Sequence, residues 1–208
     1  MGMFCKFKLI LILISFTFFV SCANKEKTIS EIIEVDIQMQ MSNAYKEGYL
    51  ELQRGDALLA AKKFNEAELL FPQSPWAAKS VLMAAYAYYN EGYYSDAIYE
   101  LERYLTTYPI HKDKPYAHFL LGMSFYETIV DEKKDLRSIL DSKEQFEIII
   151  KEYPTTEFAT DAKFKIDLIN EIQAGKEMYL AKYYLDRSKW IPALNRYKKV
   201  VSEYNTTI

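Results

Sequence analysis

Small and aromatic residues recur along the chain at fixed helical intervals. Starting at Gly48, steps of 7, 5, 4, 3 and 5 residues lead to Gly55, Ala60, Phe64, Ala67 and Pro72. The same steps return 37 residues later as Ala85, Gly92, Ala97, Leu101, Tyr104 and Pro109, and near the end as Ala181, Ser188, Ala193, Tyr197, Val200 and Asn205. We call these positions the repeat frame. Small residues let two antiparallel helices approach closely, and proline ends the second helix.

The repeat frame resembles the tetratricopeptide class of helix–turn–helix repeats. It predicts an all-α fold in which about four helix pairs stack into an α-solenoid. The third repeat fits the frame at Gly122, Ser142, Phe146, Ile149 and Pro154, with eight extra residues that we place within 131–140. This insertion is either a functional loop or a tolerated surface loop.

Capping and turn residues predict where the helices begin and end. Ser42 or Asn43 caps the first helix, and Asp141 with Glu144 restarts the helix after the insertion. Thr155 caps a helix of about 30 residues, 156–187, that passes Gly175 and bridges the third and fourth repeats. Further signals are the turn Arg54-Gly55-Asp56, the helix start Ser74-Pro75, the turn at Gly92, the helix start Lys114-Pro115, and a last core face of Trp190, Ala193, Tyr197 and Val200.

The N-terminus has the features of a lipoprotein signal peptide, which we assign to residues 1–21. Lys6 and Lys8 precede an apolar run, 9–20, that is too short to cross a bilayer as a helix. Phe19-Val20-Ser21-Cys22 resembles a lipobox, although Leu is usual where Phe19 stands. Lipidation at Cys22 is therefore expected, with plain secretion as the alternative. Residues 22–41 form a lipidated tether whose later part is either a short strand or a helix.

Charge and composition narrow the function classes. The net charge of −3 becomes −5 once Lys6 and Lys8 are removed, so we predict no nucleic-acid partner. His111 and His118 are the only histidines and lack further ligands at metal spacing, and no phosphate loop or nucleophile motif is present. We therefore expect no metal, no cofactor and no enzymatic activity. Because Ala23 rather than Asp follows Cys22, we expect the lipid anchor in the outer membrane, with the repeat domain, 42–208, in the periplasm.

The first helix of each repeat is expected to line a concave groove that binds an extended, aromatic-bearing peptide. The alternative is that the same rings pack against neighbouring repeats or against the long helix. The predicted groove residues are Tyr45, Tyr49, Leu52, Leu82, Tyr86, Tyr89, Phe119, Met123 and Tyr126, with Gln53, Asn90 and Glu127 available to the peptide backbone.

A lipobox followed by such repeats, a lengthened third repeat and a long bridging helix resembles the BamD family of lipoproteins. The most specific stretches are 84–89 (AAYAYY), 159–162 (ATDA) and 181–184 (AKYY), the last leading through Trp190 to Asn195-Arg196. Family members generally carry a fifth repeat, whereas this sequence stops at Ile208; we expect a short family member or a truncated coding sequence.

The resemblance implies a non-catalytic scaffold of the machinery that inserts β-barrel proteins into the outer membrane. It implies three kinds of partner: unfolded outer-membrane proteins, the POTRA domain of a BamA-type barrel subunit, and other lipoproteins of the complex. Arg196, which matches the family's Asn-Arg pair, is the predicted docking residue, with an ordinary surface charge as the alternative. A generic repeat lipoprotein for cell-wall or pilus-secretin assembly is the second functional hypothesis.

Overall fold

The computed structural model describes residues 36–129 and 136–205, and within them the chain is all-helical. The predicted signal peptide, Cys22 and most of the tether lie outside these residues. Consecutive helices pack as four pairs, which confirms the predicted tetratricopeptide-like α-solenoid. The helices are α1 (Ile37–Gln53), α2 (Ala57–Leu70), α3 (Pro75–Asn90), α4 (Tyr94–Thr107), α5 (Lys114–Glu127), α6 (Leu136–Glu152), α7 (Glu157–Leu185) and α8 (Trp190–Glu203).

In the first and third repeats the two helices approach each other closely at the first small residue of the repeat frame. A Cβ atom added to Gly48 would lie 2.9 Å from the ring of Phe64, and one added to Gly122 would lie 2.8 Å from the ring of Phe146. Both rings are fully buried. In the second repeat Ala85 occupies the glycine position and Leu101 the ring position. An alanine, which is larger than glycine, is thus paired with a leucine, which is smaller than phenylalanine. The frame thus predicted the core contact of these repeats.

The turns inside the repeats use a left-handed backbone conformation at one frame position. Gly55 and Gly92 each have φ of +79°, a region that glycine enters without steric cost. Ser188 holds the same frame position and has φ of 56°, the one positive value for a non-glycine residue among the described residues. The frame therefore predicted where the chain turns even where the residue type is unfavourable.

The predicted caps are confirmed at some helix starts and wrong at others. Ser74 caps α3 by accepting a hydrogen bond from the backbone N–H of Trp76 at 3.1 Å, with Pro75 in the first turn as predicted. The predicted start of α1 at Ser42 or Asn43 is wrong. The helix begins at Ile37 because Asp36 accepts from the backbone N–H of Gln38 at 3.0 Å.

The predicted restart of the third repeat at Asp141 and Glu144 is also wrong. Helix α6 already includes Leu136, and Asp141 lies inside it, accepting a hydrogen bond from Nε of Arg137 at 2.7 Å. The early turn is held by Ile139, which is fully buried on the same face as Phe146. The later half of the predicted insertion is therefore helical, and residues 130–135 lie outside the described structure.

The long bridging helix is confirmed, since α7 runs for 29 residues through Gly175. Its predicted cap shifts by one residue: Thr156, not Thr155, precedes the helix, and its hydroxyl donates to the carbonyl of Tyr153. On α8, Ala193 is buried as expected, but Trp190 is 66% exposed and does not join the core face. Trp190 holds the frame position of Tyr94, whose ring is covered by Tyr89, whereas the matching position on α7 is the smaller, partly exposed Leu185.

Polar side chains tie the first repeat to the second. Arg103 donates to Glu68 at 2.8 Å and pairs with Glu100 at 2.8 Å, while the hydroxyl of Tyr108 donates to Glu68 at 2.7 Å. Glu68 and Glu100 are both less than a tenth exposed. Because a buried charge without a partner would destabilise the fold, these contacts satisfy both carboxylates where they are needed. This cluster holds α2 and α4 at a fixed spacing.

One further frame position, four residues before the small residue, changes character along the array. It is apolar in the first two repeats, as Ala44 and Val81, and polar in the last two, as His118 and Glu177. The Nδ1–H of His118 donates to Oε1 of Gln145 at 2.9 Å across the third helix pair. Glu177 makes the corresponding contact with Arg196, at the frame position of Gln145. The third and fourth repeats therefore hold their helices together with a polar pair as well as with apolar packing.

We expect Gly48→Ala to lower the free energy of unfolding by about 1–3 kcal/mol, because its Cβ would overlap the buried ring of Phe64. Adding Phe64→Leu should recover part of this loss, since Ala85 with Leu101 is a pairing that the fold already uses. Gly175→Ala is the control: nothing lies within 4 Å of its Cβ, so it should stabilise α7 by up to about 1 kcal/mol. Urea unfolding of the four chains checks this, and a destabilisation shared by both glycine variants would contradict the overlap.

We also expect a pH-dependent contribution to stability from His118. Burial lowers the pKa of this imidazole below its ordinary 6.5, the Gln145 bond partly opposes the shift, and Lys114 adds to it. The unfolded chain therefore binds the proton first, and stability is lost as pH falls below about 6.5, by at most about 1.4 kcal/mol per pH unit. Urea unfolding at several pH values should show a steeper loss in the wild type than in His118→Gln. Parallel losses would refute this role.

Candidate functional site

The predicted groove residues lie on the first helices of the repeats, and these helices contact one another along the array. Helix α3 contacts α5, and α5 contacts α7. We call the side formed by α1, α3, α5 and the start of α7 the first-helix face. The predicted residues divide between an open part of this face and the core beneath it.

At the N-terminal end of the face, Tyr45 packs inside the fold. Its half-buried ring lies edge-on to Phe64 at 5.2 Å and to Trp76 at 5.3 Å, counted between ring centroids. Lys79 places its ammonium 5.0 Å from the ring of Trp76, which is 46% exposed. Tyr49 is also exposed, one helical turn beyond Tyr45. The open surface here is therefore formed by Tyr49, Trp76 and Lys79 more than by Tyr45.

In the second repeat the structure separates Leu82 from the two tyrosines predicted beside it. Leu82 is only 6% exposed and belongs to the core cluster that includes Leu121 of α5, so it adds little open surface. Tyr86 and Tyr89 are half-buried at the edge of that cluster. Burial raises the pKa of Tyr116 to about 12, with smaller contributions from Tyr86 and Tyr89. All three tyrosines pack against the same core cluster. These tyrosines form a polar-tipped aromatic cluster, the tyrosine cluster.

The predicted residues of the third repeat pack mainly inward. Phe119 lies 5.8 Å from Phe146 and 5.7 Å from Phe158, counted between ring centroids. Met123 and Tyr126 are half-buried against the same cluster, and Lys165 lies over the ring of Tyr126 at 5.0 Å. These residues therefore pack within the fold, as the alternative interpretation predicted. Leu52 is half-buried, and the polar residues Gln53, Asn90 and Glu127 are exposed at the ends of their helices.

A pocket of about 370 Å³ opens on the first-helix face. Its walls come from three first helices and the loop before α5, and its apolar floor contains Tyr116 and Phe158, whose ring centroids are 5.6 Å apart. Two ammonium groups and one carboxylate also line it. The full lining is Lys79, Leu82, Met83, Lys112, Asp113, Pro115, Tyr116, Thr156 and Phe158.

Residues of this pocket were not predicted from the sequence, apart from Leu82. Tyr116 could have been found, since it precedes Phe119 by three residues on the same helix face. Phe158 gave no such signal, because the long helix was not assigned to the face.

The predicted docking residue, Arg196, lies in a second site between α7 and α8. Its Nη1 donates to Oε2 of Glu177 at 2.8 Å, and Nζ of Lys199 donates to Oε1 of the same carboxylate at 2.8 Å. Burial raises the pKa of Glu177, but the hydrogen bonds from Lys199 and Arg196 outweigh it, so the pKa lies below its ordinary value. We call these three residues the Glu177 cluster. Neither Glu177 nor Lys199 was predicted from the sequence.

The cations of the Glu177 cluster border a second pocket of about 370 Å³. Tyr184, Ile191, Pro192 and Asn195 complete its lining. The side chain of Glu177 is 10% exposed, whereas those of Arg196 and Lys199 are 39% and 38% exposed. A buried carboxylate thus holds two cations at an open, partly apolar surface.

Neither a membrane span nor a metal centre is found in the described part of the chain. No helix between residues 36 and 205 combines the length and apolar character needed to cross a bilayer. Over the same described residues, no group of three or more potential metal-ligating side chains comes together.

Comparison with known proteins gives the class of this helical array. Residues 37–208 match the family described as "YfiO: Outer membrane lipoprotein". Outer membrane protein assembly factor BamD of Caulobacter vibrioides is 33% identical over 186 residues, which cover 89% of this chain and 60% of the relative. The BamD protein of Rickettsia prowazekii is 32% identical, and the match covers 83% of this chain and 68% of the relative. The BamD protein of Neisseria gonorrhoeae is 27% identical, and the match covers 96% of this chain and 79% of the relative.

The fold defines a tetratricopeptide-like repeat protein, and the family match relates it to outer membrane lipoproteins. The chain belongs to the YfiO/BamD family, as the resemblance indicated. It spans between 60% and 79% of the length of the relatives named above.

Proposed function

We propose that this chain is a non-catalytic scaffold lipoprotein of the outer-membrane β-barrel assembly complex. Its relatives are named outer membrane protein assembly factors, and the match covers all eight described helices. In this proposal Cys22 carries the lipid that holds the chain at the outer membrane, and the repeats face the periplasm. The first-helix face receives unfolded outer-membrane proteins, and the last repeat docks on the POTRA domain of a BamA-type subunit.

The tyrosine cluster and the adjoining pocket carry the peptide-binding part of the proposal. Tyr86, Tyr89 and Tyr116 offer rings with polar tips, which give contact area at a low cost in side-chain entropy. The pocket beside them has an apolar floor large enough for one aromatic side chain. An extended chain could place a ring in this pocket and its backbone along the tyrosine hydroxyls. The inward packing of Leu82 and Phe119 limits the proposed binding surface to the second repeat and its borders.

Charge supports docking through the last repeat. Residues 176–205 contain seven lysines and arginines against three acidic residues, whereas 36–129 and 136–175 together contain thirteen against twenty. A basic end on an otherwise acidic array favours an acidic partner surface. The exposed guanidinium edge of Arg196 can pair with a partner carboxylate beside the apolar side chains of Ile191 and Pro192.

The full chain carrying Tyr86→Ala and Tyr89→Ala should bind an aromatic-ended barrel-protein peptide about tenfold more weakly, because two rings are removed from the contact. Tyr99→Ala, on the outer helix α4 and 65% exposed, is the control and should bind as the wild type does. Fluorescence anisotropy of a labelled peptide measures the affinity, and circular dichroism checks that helix content is unchanged. Equal binding by the folded double variant would refute the proposed groove.

Arg196→Gln should weaken docking on the purified POTRA region of the barrel subunit by about tenfold, since a charge-assisted contact is lost. Lys198→Gln removes the same charge from an exposed position of the same helix and should change the affinity less than about twofold. Biolayer interferometry with the full chain gives both values. A similar effect of the two substitutions would mean that net charge alone, and not Arg196, supports the contact.

A further inference from the structure

The geometry points to Glu177 as a positioning residue of the docking surface: we propose that its buried carboxylate holds Arg196 and Lys199 in the orientation that receives a carboxylate of the partner. This inference rests on the proposed docking function of the last repeat. It concerns a residue that does not itself reach the open surface.

The arrangement contains one cation more than the buried charge requires. A single carboxylate accepts hydrogen bonds from Arg196 and Lys199, both at 2.8 Å. Because two cations share Glu177, each can contact a partner carboxylate while the buried charge stays paired. Glu203 also approaches Lys199, at 3.9 Å, but its side chain is 54% exposed. Glu177 is therefore the carboxylate that fixes both cations.

Ordering matters because both cationic side chains are long. Free lysine and arginine side chains lose rotamer freedom when they are fixed at an interface, and this loss weakens binding. The contact with Glu177 imposes that order before the partner arrives. The partner group that fits is a carboxylate next to an apolar side chain, because Ile191, Pro192 and Tyr184 line the same pocket.

The position of Glu177 in the repeat frame supports a specific role. The equivalent residue of the second repeat, Val81, is fully buried in apolar packing. In the third repeat, His118 makes a neutral pair with Gln145. A charged pair is therefore not required to join two helices of this fold. In the fourth repeat the charge coincides with the pocket that the two cations border.

The test separates preorganisation from net charge. Glu177→Gln and Glu203→Gln each remove one negative charge from the last repeat, and a purely electrostatic surface should then bind an acidic partner more tightly in both. We expect Glu177→Gln to dock on the purified POTRA region roughly tenfold more weakly, from the ordering cost of two side chains. Glu203→Gln should dock as well as the wild type or better. Equal or tighter docking by Glu177→Gln would overturn the proposal.

A structural role is tested separately. Docking of the wild type should weaken as salt rises, because cations contact the partner. The weaker docking of Glu177→Gln relative to the wild type should persist at high salt, since it comes from the lost ordering of two side chains and not from net charge. If Glu177→Gln lowers the helix content, Glu177→Asp is used, because it keeps the charge but withdraws the carboxylate by one methylene. This variant should dock with intermediate affinity, and wild-type docking by a folded Glu177→Asp would refute the role.

The outcomes also distinguish this inference from the docking function itself. Wild-type docking by Arg196→Gln would remove the proposed docking contact altogether. Weak docking by Arg196→Gln together with wild-type docking by Glu177→Gln would keep the docking contact and reject the positioning role.

Discussion

The close approach of two helices at one small residue is the constraint on which this array depends. At Gly48 and Gly122 there is no room for a Cβ atom, because a buried phenylalanine ring fills the space that a side chain would need. The second repeat has Ala85 and Leu101 at these positions, both fully buried in one core cluster. In the first three repeats a small residue is thus paired with a large apolar one, and the sum of the two sizes stays nearly constant. The turns, the stacking and the two open surfaces follow from this fixed separation.

Much of the fold could be predicted from the sequence because the repeat frame records contacts within each helix pair. Turn positions, the helix starts at Ser74 and Lys114, and the passage of α7 through Gly175 all follow from local rules. The starts of α1 and α6 could not be predicted in the same way. Asp36 and Ile139 lie outside the repeated intervals, and the competing polar residues Ser42 and Asp141 looked like better caps. Both residues lie inside helices, where Asp141 accepts a hydrogen bond from Arg137 instead of capping.

The first-helix face was less predictable because it involves contacts between repeats. Helical periodicity identifies which side of α3 meets α4, but it does not show that α5 also covers Leu82. For the same reason Phe119 was expected on an open surface and instead packs against Phe158 of α7. Glu177 illustrates the opposite case: a lone glutamate on a charged helix reads as a solvated residue, and only the structure places it against Arg196 and Lys199. On the first-helix face, the repeat frame could not predict the neighbour contributed by the next repeat.

Helix α7 joins the third and fourth repeats without a loop, and its 29 residues extend about 43 Å. The number of residues in α7 therefore sets the direction in which α8 lies about the axis of α7. One residue added near the middle of α7 would turn the remainder by about 100°, carrying Arg196 and Lys199 to a different side of the array. Loops between the earlier repeats can absorb a length change locally. A change of length in one of the turns of this chain would thus have a local effect, whereas a change of length in α7 would reorient the whole last repeat relative to the first-helix face.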